Sequence, residues 1–374
     1  MNKYYWATHF TREGKSYQVL APKDYEMRIP QAHIDSTFYV YTSMEDAEKG
    51  VPAGGSGFFV GISSGEENRY LAYAVTNVHV IAHCSEYPVI RANKKGGGFV
   101  LLETNKSEWQ SHPSGDDISV CHLRGVANLG LDIGIVHPTE FVTETNLKRD
   151  NLNIGPGDDT YMIGRFTNHE GSTTNTPIVR YGNISLNPDK NHTVFNPETK
   201  HQDEVFLIEA RSLSGYSGSA VFTYINEFDY RDKPLEITAE TNLIPKPYFL
   251  GVNIGHTRMM MPVQAEKPPR LTDYIDVKVK GIGKLYSEYN SGIMRIAPAW
   301  KLQEMLDMGV FAEMREKAKK QLEEKKRKAF TLDNLPEEVK ESINISKEDF
   351  EKDLRKVTSK TKPSQPDKPK SERK

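Results

Sequence analysis

The sequence predicts an all-β fold, a barrel or a sandwich, followed by a C-terminal helical extension. Short runs of β-branched and aromatic residues recur between residues 36 and 254, and clusters of Gly, Asn, Pro and Asp separate them. The runs at 58–62 and 70–75 flank a short polar segment, which is typical of antiparallel strands rather than of βαβ units. From residue 299 onward, apolar residues recur at every fourth position, which indicates helix.

The chain divides into segments of different character. They are an N-terminal arm (1–35), a strand-rich domain (36–298), a helical extension (299–357) and a tail with the composition of a disordered basic segment (358–374). The expected strands are 36–41, 58–62, 70–75, 99–102, 118–123, 160–163, 178–185, 205–208, 220–224 and 249–254. A helical turn is expected at 44–49, whereas 189–203 and 265–274 are interpreted as surface loops.

Composition and charge restrict the function classes. The formal net charge is −2 at pH 7, from 49 basic and 51 acidic residues, so attraction to nucleic acid or to a membrane surface is not expected. The chain contains only two cysteines, Cys84 and Cys121, which suits a reducing compartment. The N-terminus shows no apolar signal segment, and no run approaches the roughly 18 apolar residues that span a bilayer. A cytoplasmic location is therefore expected.

Ser217 is the candidate nucleophile. It lies between small residues in the run GYSGSAVF, directly before an apolar strand-like segment. A serine hydroxyl is a weak nucleophile at neutral pH, so it needs a base, an acid that orients the base, and donors for the developing oxyanion. Gly215 permits a backbone turn that would present the amides of Gly215 and Ser217 to one point, as an oxyanion hole. The residues alone also fit a simple Gly/Ser turn before a strand.

The candidate base is a histidine, because imidazole titrates near neutrality. His79 follows a predicted strand end and a Thr-Asn turn in the run TNVHV. His83, in the run AHC, is a rival. His79 lies closer to the strand end and is the preferred base, although either histidine could instead be a structural residue.

The candidate acid is one of two aspartates. A carboxylate on the second ring nitrogen of the base would fix its tautomer and stabilise the imidazolium. Asp117, in HPSGDDISV, and Asp132, in LDIGIV, both open apolar strands between His79 and Ser217. Either suits the order His, Asp, Ser, so spacing alone leaves the choice open.

Together these motifs resemble those of the trypsin-like, chymotrypsin-fold serine peptidases, in particular the bacterial intracellular or high-temperature-requirement-type branch. The runs GSGFFV, TNVHV and GYSGSAVF are similar to the family's segments before the base, around the base and around the nucleophile. The runs GDDTYMIGRF, PIVRYGNIS, FLGVNIGH and GIMRIAPA are similar to its later strands. The ordered set covers residues 36–306.

The resemblance implies two six-stranded antiparallel β-barrels with the active site between them, and hydrolysis of a polypeptide substrate through an acyl-enzyme. It favours Asp117 as the acid, because the acid of this branch commonly follows a His-Pro-rich turn. By the same resemblance Arg211, Asn253 and Gly255 are candidates for substrate binding, and Arg211 would favour an acidic side chain. Tyr216 stands where secreted relatives carry an aspartate, so activation by that aspartate's salt bridge is not expected.

Two other functions are also compatible with the sequence, a zinc site and a peptide-binding module. His79, His83, Cys84, Cys121 and His122 could together bind zinc, but the chain has no CxxC pair and no HExxH motif. No metal and no cofactor are therefore expected. The second reading is a catalytically silent module that binds extended peptides by strand addition. In either case the basic C-terminal helices offer a surface for a regulatory protein partner.

Overall fold

The computed structural model describes eleven segments of the chain, which are residues 4–10, 16–22, 29–50, 54–64, 70–126, 129–148, 152–165, 173–210, 215–225, 246–262 and 286–329. Two compact units are present, Met1–Phe311 and Ala312–Lys374. Arg211, the predicted surface loop at 265–274, the later part of the helical extension and the basic tail lie outside the described residues.

The described elements are mostly strands. The strands are β1 (Tyr4–Phe10), β2 (Ser16–Pro22), β3 (Thr37–Tyr41), β4 (Gly55–Ser63), β5 (Tyr70–Thr76), β6 (Val89–Asn93), β7 (Phe99–Glu103), β8 (Trp109–Ser111), β9 (Ser119–Leu123), β10 (Asp159–Gly164), β11 (Ile178–Leu186), β12 (Val194–Asn196), β13 (His201–Asp203), β14 (Phe206–Ala210), β15 (Ala220–Ile225), β16 (Lys246–Pro262) and β17 (Tyr286–Pro298). The helices are α1 (Gln31–Asp35), α2 (Met44–Lys49), α3 (Val78–His83), α4 (Ala299–Leu306) and α5 (Gly309–Ala329).

Seven strands form the first antiparallel sheet, in the order β7-β6-β3-β4-β5-β9-β8. The pair β4–β5 runs from Phe58↔Val75 to Ser63↔Tyr70, as the short polar segment between the two runs predicts. One face buries an apolar cluster that includes Phe38, Phe59 and Trp109. The β-branched and aromatic residues of these runs therefore form a core on which α3 packs through Val80 and Ile81.

Six strands form a closed barrel, in the order β10-β11-β14-β17-β16-β15, and β15 pairs back to β10. The all-β prediction is confirmed, and every strand expected from the sequence is present, with bounds shifted at the ends. The first sheet differs in one respect from the barrel that the resemblance implies. It has seven strands, and its end strands β7 and β8 are not paired with each other in the described part of the chain.

Residues 189–203 contain a hairpin rather than the surface loop expected from the sequence. Strands β12 and β13 pair from Val194↔Asp203 to Asn196↔His201. Here the polar residues point inward: Asn196 and Asp203 are buried, whereas Phe195 is 54% exposed. A strand pattern based on buried apolar residues could not detect a hairpin of this kind.

The compact unit extends beyond both ends of the segment 36–298. In α1, upstream of that segment, the buried ring of His33 stacks on Phe222 of the barrel with centroids 4.2 Å apart. Its Nδ1 lies 2.8 Å from the Tyr161 hydroxyl and its Nε2 lies 2.8 Å from a Glu140 carboxylate oxygen. Downstream, α4 buries Leu302 completely, so the unit ends at Phe311 rather than at 298.

We expect His33→Ala to lower the free energy of unfolding by about 2–4 kcal/mol, because it leaves a cavity and removes one buried and one partly buried hydrogen bond. Urea denaturation followed by tryptophan fluorescence measures the change. The matched control is Gln31→Ala in the same helix, whose exposed side chain bonds Asp35. A His33→Ala midpoint equal to that of Gln31→Ala would contradict the assignment of His33 to the core.

Candidate active site

His79 and Asp117 meet because of the register between two neighbouring strands. The last residue of β5 pairs with the first residue of β9, Thr76↔Ser119. The chain leaving β5 turns at Asn77 into α3, which carries His79, and the chain entering β9 carries Asp117. His79 Nδ1 lies 2.6 Å from Asp117 Oδ2.

Asp117 is fixed by further hydrogen bonds. Its Oδ1 accepts from the backbone N–H of His79 at 3.1 Å, and its backbone carbonyl accepts from the Asn77 side-chain amide at 2.7 Å. The carboxylate is completely buried, whereas the His79 side chain is 13% exposed. The contact with Asp117 occupies Nδ1, so the other ring nitrogen, Nε2, is left for a proton transfer.

The rival residues occupy different environments. His83 is exposed, and its Nδ1 lies 2.6 Å from the backbone carbonyl of His79 at the end of α3. Asp132 is exposed, and its backbone N–H bonds Asn93 at the end of β6. In the part of the chain that the structure describes, Asp132 forms no hydrogen bond or ion pair with either histidine.

The candidate nucleophile lies on a tight turn before β15. The turn closes through a hydrogen bond from the Ser219 N–H to the Tyr216 carbonyl at 3.0 Å. Gly215 and Gly218 have φ of 96° and 86°, which L side chains rarely adopt. Ser217 is partly exposed, whereas Tyr216, Gly218 and Ser219 are buried around it.

Ser56, at the start of β4, binds this turn through both its hydroxyl and its backbone N–H. Its hydroxyl donates to the Gly215 carbonyl at 2.8 Å, and its N–H donates to the Ser217 carbonyl at 2.9 Å. The same hydroxyl accepts from the Arg165 N–H at 2.8 Å, and the Ser56 carbonyl accepts from the Thr76 hydroxyl at 2.7 Å. Ser56 therefore connects the nucleophile turn, the barrel strand β10 and the end of β5.

Gly55 places Ser217 close to the helix of the candidate base. A Cβ atom at Gly55 would lie 2.8 and 2.9 Å from the methyl carbons of Val80 and 3.2 Å from the Ser217 carbonyl oxygen. Val80 directly follows His79, so Gly55 lies between the Ser217 backbone and the residue next to the candidate base. Among the described residues, the Ser217 hydroxyl makes no hydrogen bond to His79; catalytic hydrogen bonds are often long in enzymes without bound substrate.

The residues predicted to bind substrate have different surroundings. Asn253 is only 1% exposed, and its side-chain amide donates to the Tyr216 carbonyl at 2.8 Å. Its Oδ1 accepts from Gly255 at 3.1 Å, so this side chain supports the turn and is not available to line a cleft. Gly255 is partly exposed with φ of 112°. Arg211 is outside the described residues.

A cavity of about 480 Å³ lies directly beside His79. It is bounded by α3, by the loop that carries Asp117 and by the turn of the β12–β13 hairpin. Its lining residues include His79, His83, His112, Asp116 and Glu198. The cavity offers space next to the candidate base for a side chain of a bound peptide.

Asp116, which precedes the candidate acid, contacts His112 and Lys301 rather than the candidate base. Its Oδ2 lies 2.9 Å from His112 Nδ1 and 3.4 Å from Lys301 Nζ of α4. Burial alone would raise the pKa of Asp116, but His112, Lys301 and His201 together hold this pKa below its ordinary value. Glu304 Oε2 lies 3.4 Å from His112 Nε2. Helix α4 therefore contacts twice the loop 112–118, which carries the candidate acid and is called the acid loop below.

The zinc site considered from sequence does not assemble. Cys84 Sγ bonds the Val80 carbonyl, and Cys121 is buried in the core of the first sheet. Among the described residues the group able to hold a metal ion consists of Asp116, His201 and Asp203, and contains no cysteine.

Comparisons with known proteins find no matching family model and no similar curated protein. Solved structures that resemble the chain include the inactive form of the Rv3671c protease, with a TM-score of 0.37 and 14% identity over 74% of this chain and 89% of that one. A mutant of the same protease from M. tuberculosis H37Rv has a TM-score of 0.33 and 14% identity over 60% and 80% of the two chains. The HtrA-type protease AlgW with a decapeptide has a TM-score of 0.33 and 14% identity over 74% and 64%. All of these similarities are distant.

Among the helices of the described segments, none has the length and apolar character needed to cross a membrane.

We expect Ser56→Ala to lower the free energy of unfolding by about 1–3 kcal/mol, because it leaves the buried N–H of Arg165 unpaired and releases the Gly215 carbonyl. Reactivity of Ser217 toward an active-site probe should fall at the same time, since the turn loses one of its two supports. Probe labelling at a denaturant concentration where both proteins stay folded measures this effect.

The control is Ser36→Ala, a buried serine whose hydroxyl bonds only the His33 carbonyl. It should lower stability but leave Ser217 labelling unchanged. Equal labelling of Ser56→Ala and Ser36→Ala would contradict the positioning role of Ser56.

The two cysteines should be unreactive in the folded protein. Burial raises the pKa of Cys84 to about 11 and that of Cys121 to about 12, and the reactive thiolate is scarce below the pKa. A disulfide reagent at pH 8 should modify neither cysteine without denaturant and both in urea. Rapid modification of the folded protein at pH 8 would contradict the burial of these thiols.

Proposed function

We propose that the protein is a serine endopeptidase that hydrolyses polypeptide substrates through Ser217, His79 and Asp117. The observation that carries the proposal is the 2.6 Å contact between His79 Nδ1 and a completely buried Asp117 carboxylate, beside a turn that exposes Ser217. An aspartate on one ring nitrogen and a serine near the other is the arrangement that acyl transfer requires. Asp132, by contrast, is exposed, which supports Asp117 as the acid.

In the proposed reaction His79 Nε2 takes the proton from the Ser217 hydroxyl as Oγ attacks the carbonyl carbon of the scissile peptide. The peptide nitrogen leaves with the proton from His79, which produces an acyl-enzyme and a free amine. A water then gives its proton to His79 and attacks the ester, so that the acid product leaves and Ser217 recovers its proton. Asp117 holds the imidazole in one tautomer and stabilises its protonated form through both steps.

The oxyanion of each tetrahedral intermediate would be stabilised by the amides of Gly215 and Ser217. This assignment is supported by the positive φ of Gly215 and by the carbonyls on both sides of Tyr216 being fixed by Ser56. Among the described residues, the N–H groups of Gly218 and Ser219 bind the carbonyls of Asn253 and Tyr216, whereas those of Gly215 and Ser217 have no acceptor and could serve as donors for a developing charge. Asn253 supports the same turn from the barrel side through the Tyr216 carbonyl.

The proposed substrate class rests on the residues that line the cavity beside His79. The cavity beside His79 is lined by polar side chains, His83, Asp116 and Glu198 among them. Such a surface suits a polar segment of an extended polypeptide. The preference for an acidic side chain at Arg211 stays a prediction from the sequence.

A binding module without hydrolysis is the second candidate. It is favoured by one observation, the lack of a hydrogen bond between Ser217 and His79 among the described residues. A fluorophosphonate probe separates the two candidates, because it forms an adduct only with an activated serine. Binding of extended peptides without any labelling would support the module.

We expect the full-length protein to be labelled by the probe on Ser217, identified by mass spectrometry, and Ser217→Ala to abolish labelling. His79→Ala and Asp117→Asn should each slow labelling at least about 100-fold. The first variant lacks the base, and the second lacks the carboxylate that holds the base in the reactive tautomer. Asp132→Asn is the matched control and should label at the wild-type rate. Loss of labelling in Asp132→Asn with retention in Asp117→Asn would overturn the assignment of the acid.

A further inference from the structure

We infer that Asp116, His201 and Asp203 form a binding site for a divalent transition cation, of which Zn²⁺ is the best fit. Each residue offers one ligand atom, and the three atoms all lie within 4.8 Å of one another. The site joins the acid loop to the β12–β13 hairpin. It does not depend on the proposed hydrolysis, since none of its residues contacts the reacting groups.

The fold brings these residues together from two distant parts of the chain. His201 and Asp203 occupy the ends of the three-residue strand β13, so their side chains lie on the same face. The ring of His201 packs on Gly115, where an added Cβ atom would lie 3.0 Å from ring carbon Cδ2. Gly115 directly precedes Asp116, so the hairpin and the acid loop are in contact at this point.

The electrostatic environment favours a cation. Asp203 is 1% exposed, and among the described residues its Oδ2 has no partner with hydrogen-bond geometry, whereas its Oδ1 lies 2.7 Å from His201 Nδ1. An unpaired buried carboxylate oxygen is costly, and a metal ion would neutralise it.

Lys301 is the described side-chain cation next to this group, 3.4 Å from Asp116 Oδ2. Among the described contacts, no ammonium or guanidinium group lies close to the second carboxylate, Asp203. The group therefore contains two buried carboxylates, and the described ammonium group of Lys301 contacts one of them.

The donor set selects the class of ion. Zn²⁺ takes imidazole nitrogen and carboxylate oxygen in a tetrahedron, commonly with three protein ligands and one water. In a tetrahedral site with metal–ligand bonds of about 2.1 Å, the ligand atoms lie about 3.4 Å from one another. This distance is compatible with the three ligand atoms here, which all lie within 4.8 Å of one another. Calcium and magnesium prefer oxygen ligands throughout, so the imidazole of His201 argues against them. The adjacent cavity reaches Asp116 and supplies a path for the ion and for a water ligand.

The test is titration of the full-length protein with Zn²⁺ by isothermal calorimetry, in a buffer with a phosphine reductant and no chelator. We expect one ion per chain for the wild type, and affinity reduced at least about tenfold in His201→Gln and Asp203→Asn. His201 has a side chain that is 34% exposed, so its variant should fold even if the buried Asp203→Asn is destabilised. Urea denaturation without metal checks the folding of both.

The matched control is His192→Gln. His192 forms a similar pair with Asp189, with Nδ1 and Oδ2 2.6 Å apart, but it lies on the surface without a third ligand. This variant should bind Zn²⁺ like the wild type. Absence of Zn²⁺ binding by the wild type, wild-type affinity in His201→Gln, or loss of affinity in His192→Gln would each overturn the proposal.

Substitution of Co²⁺ for Zn²⁺ supplies a second readout. The absorption spectrum should show nitrogen and oxygen ligation, without the near-ultraviolet band of a cobalt–thiolate bond. Such a band would place the ion at Cys84 or Cys121 and would exclude the site on Asp116, His201 and Asp203.

Discussion

Ser56 is the residue through which the two sheets support the candidate nucleophile. The turn around Ser217 belongs to neither helix nor strand, so few of its backbone groups are paired within the turn itself. Ser56 pairs the Gly215 and Ser217 carbonyls and is itself held by Arg165 and Thr76. A displacement of either sheet would therefore change the position of Ser217. The rest of the site is built around this connection.

Strand register is the second constraint on the site. Asp117 reaches His79 because Thr76 pairs with Ser119, which sets the end of β5 beside the start of β9. A shift of one residue would turn every side chain of β9 to the opposite face of the sheet. Cys121 and Leu123 lie on one face of that strand in the apolar core of the first sheet, so core packing opposes such a shift. The stability of the core and the geometry of the candidate dyad are consequences of the same pairing.

Short apolar runs separated by turn residues were enough to predict most of the fold. Strands β4 and β5 have long apolar runs and a short connection, so both their existence and their antiparallel pairing were predictable. The β12–β13 hairpin was not, because it buries Asn196 and Asp203 and exposes Phe195. His33 was missed for a related reason: it is a polar residue buried by aromatic stacking from a separate part of the chain.

The candidate site was predictable to a similar extent. Residue type and order indicated His79 and Ser217, but Asp117 and Asp132 occupy equivalent positions in the sequence, each opening an apolar run. The resemblance of HPSGDDISV to the family's acid segment favoured Asp117, and the contact with His79 in the structure supports that choice. The role of Ser56 has a faint signal in the run GSGFFV, where a serine stands among glycines before a buried strand. Nothing in that run indicates which carbonyls its hydroxyl and amide would bind.

Asp116 and Asp117 illustrate how one loop can serve two purposes. Both carboxylates are buried, at 3% and 0% exposure, yet they point toward different partners. Asp117 contacts His79, whereas Asp116 contacts His112 and Lys301 and lies near Asp203. Two adjacent anions in a region of low dielectric would repel each other strongly if they shared one partner. Separate partners for each carboxylate allow the loop to hold its acid next to His79 while α4 and the hairpin fix its other side.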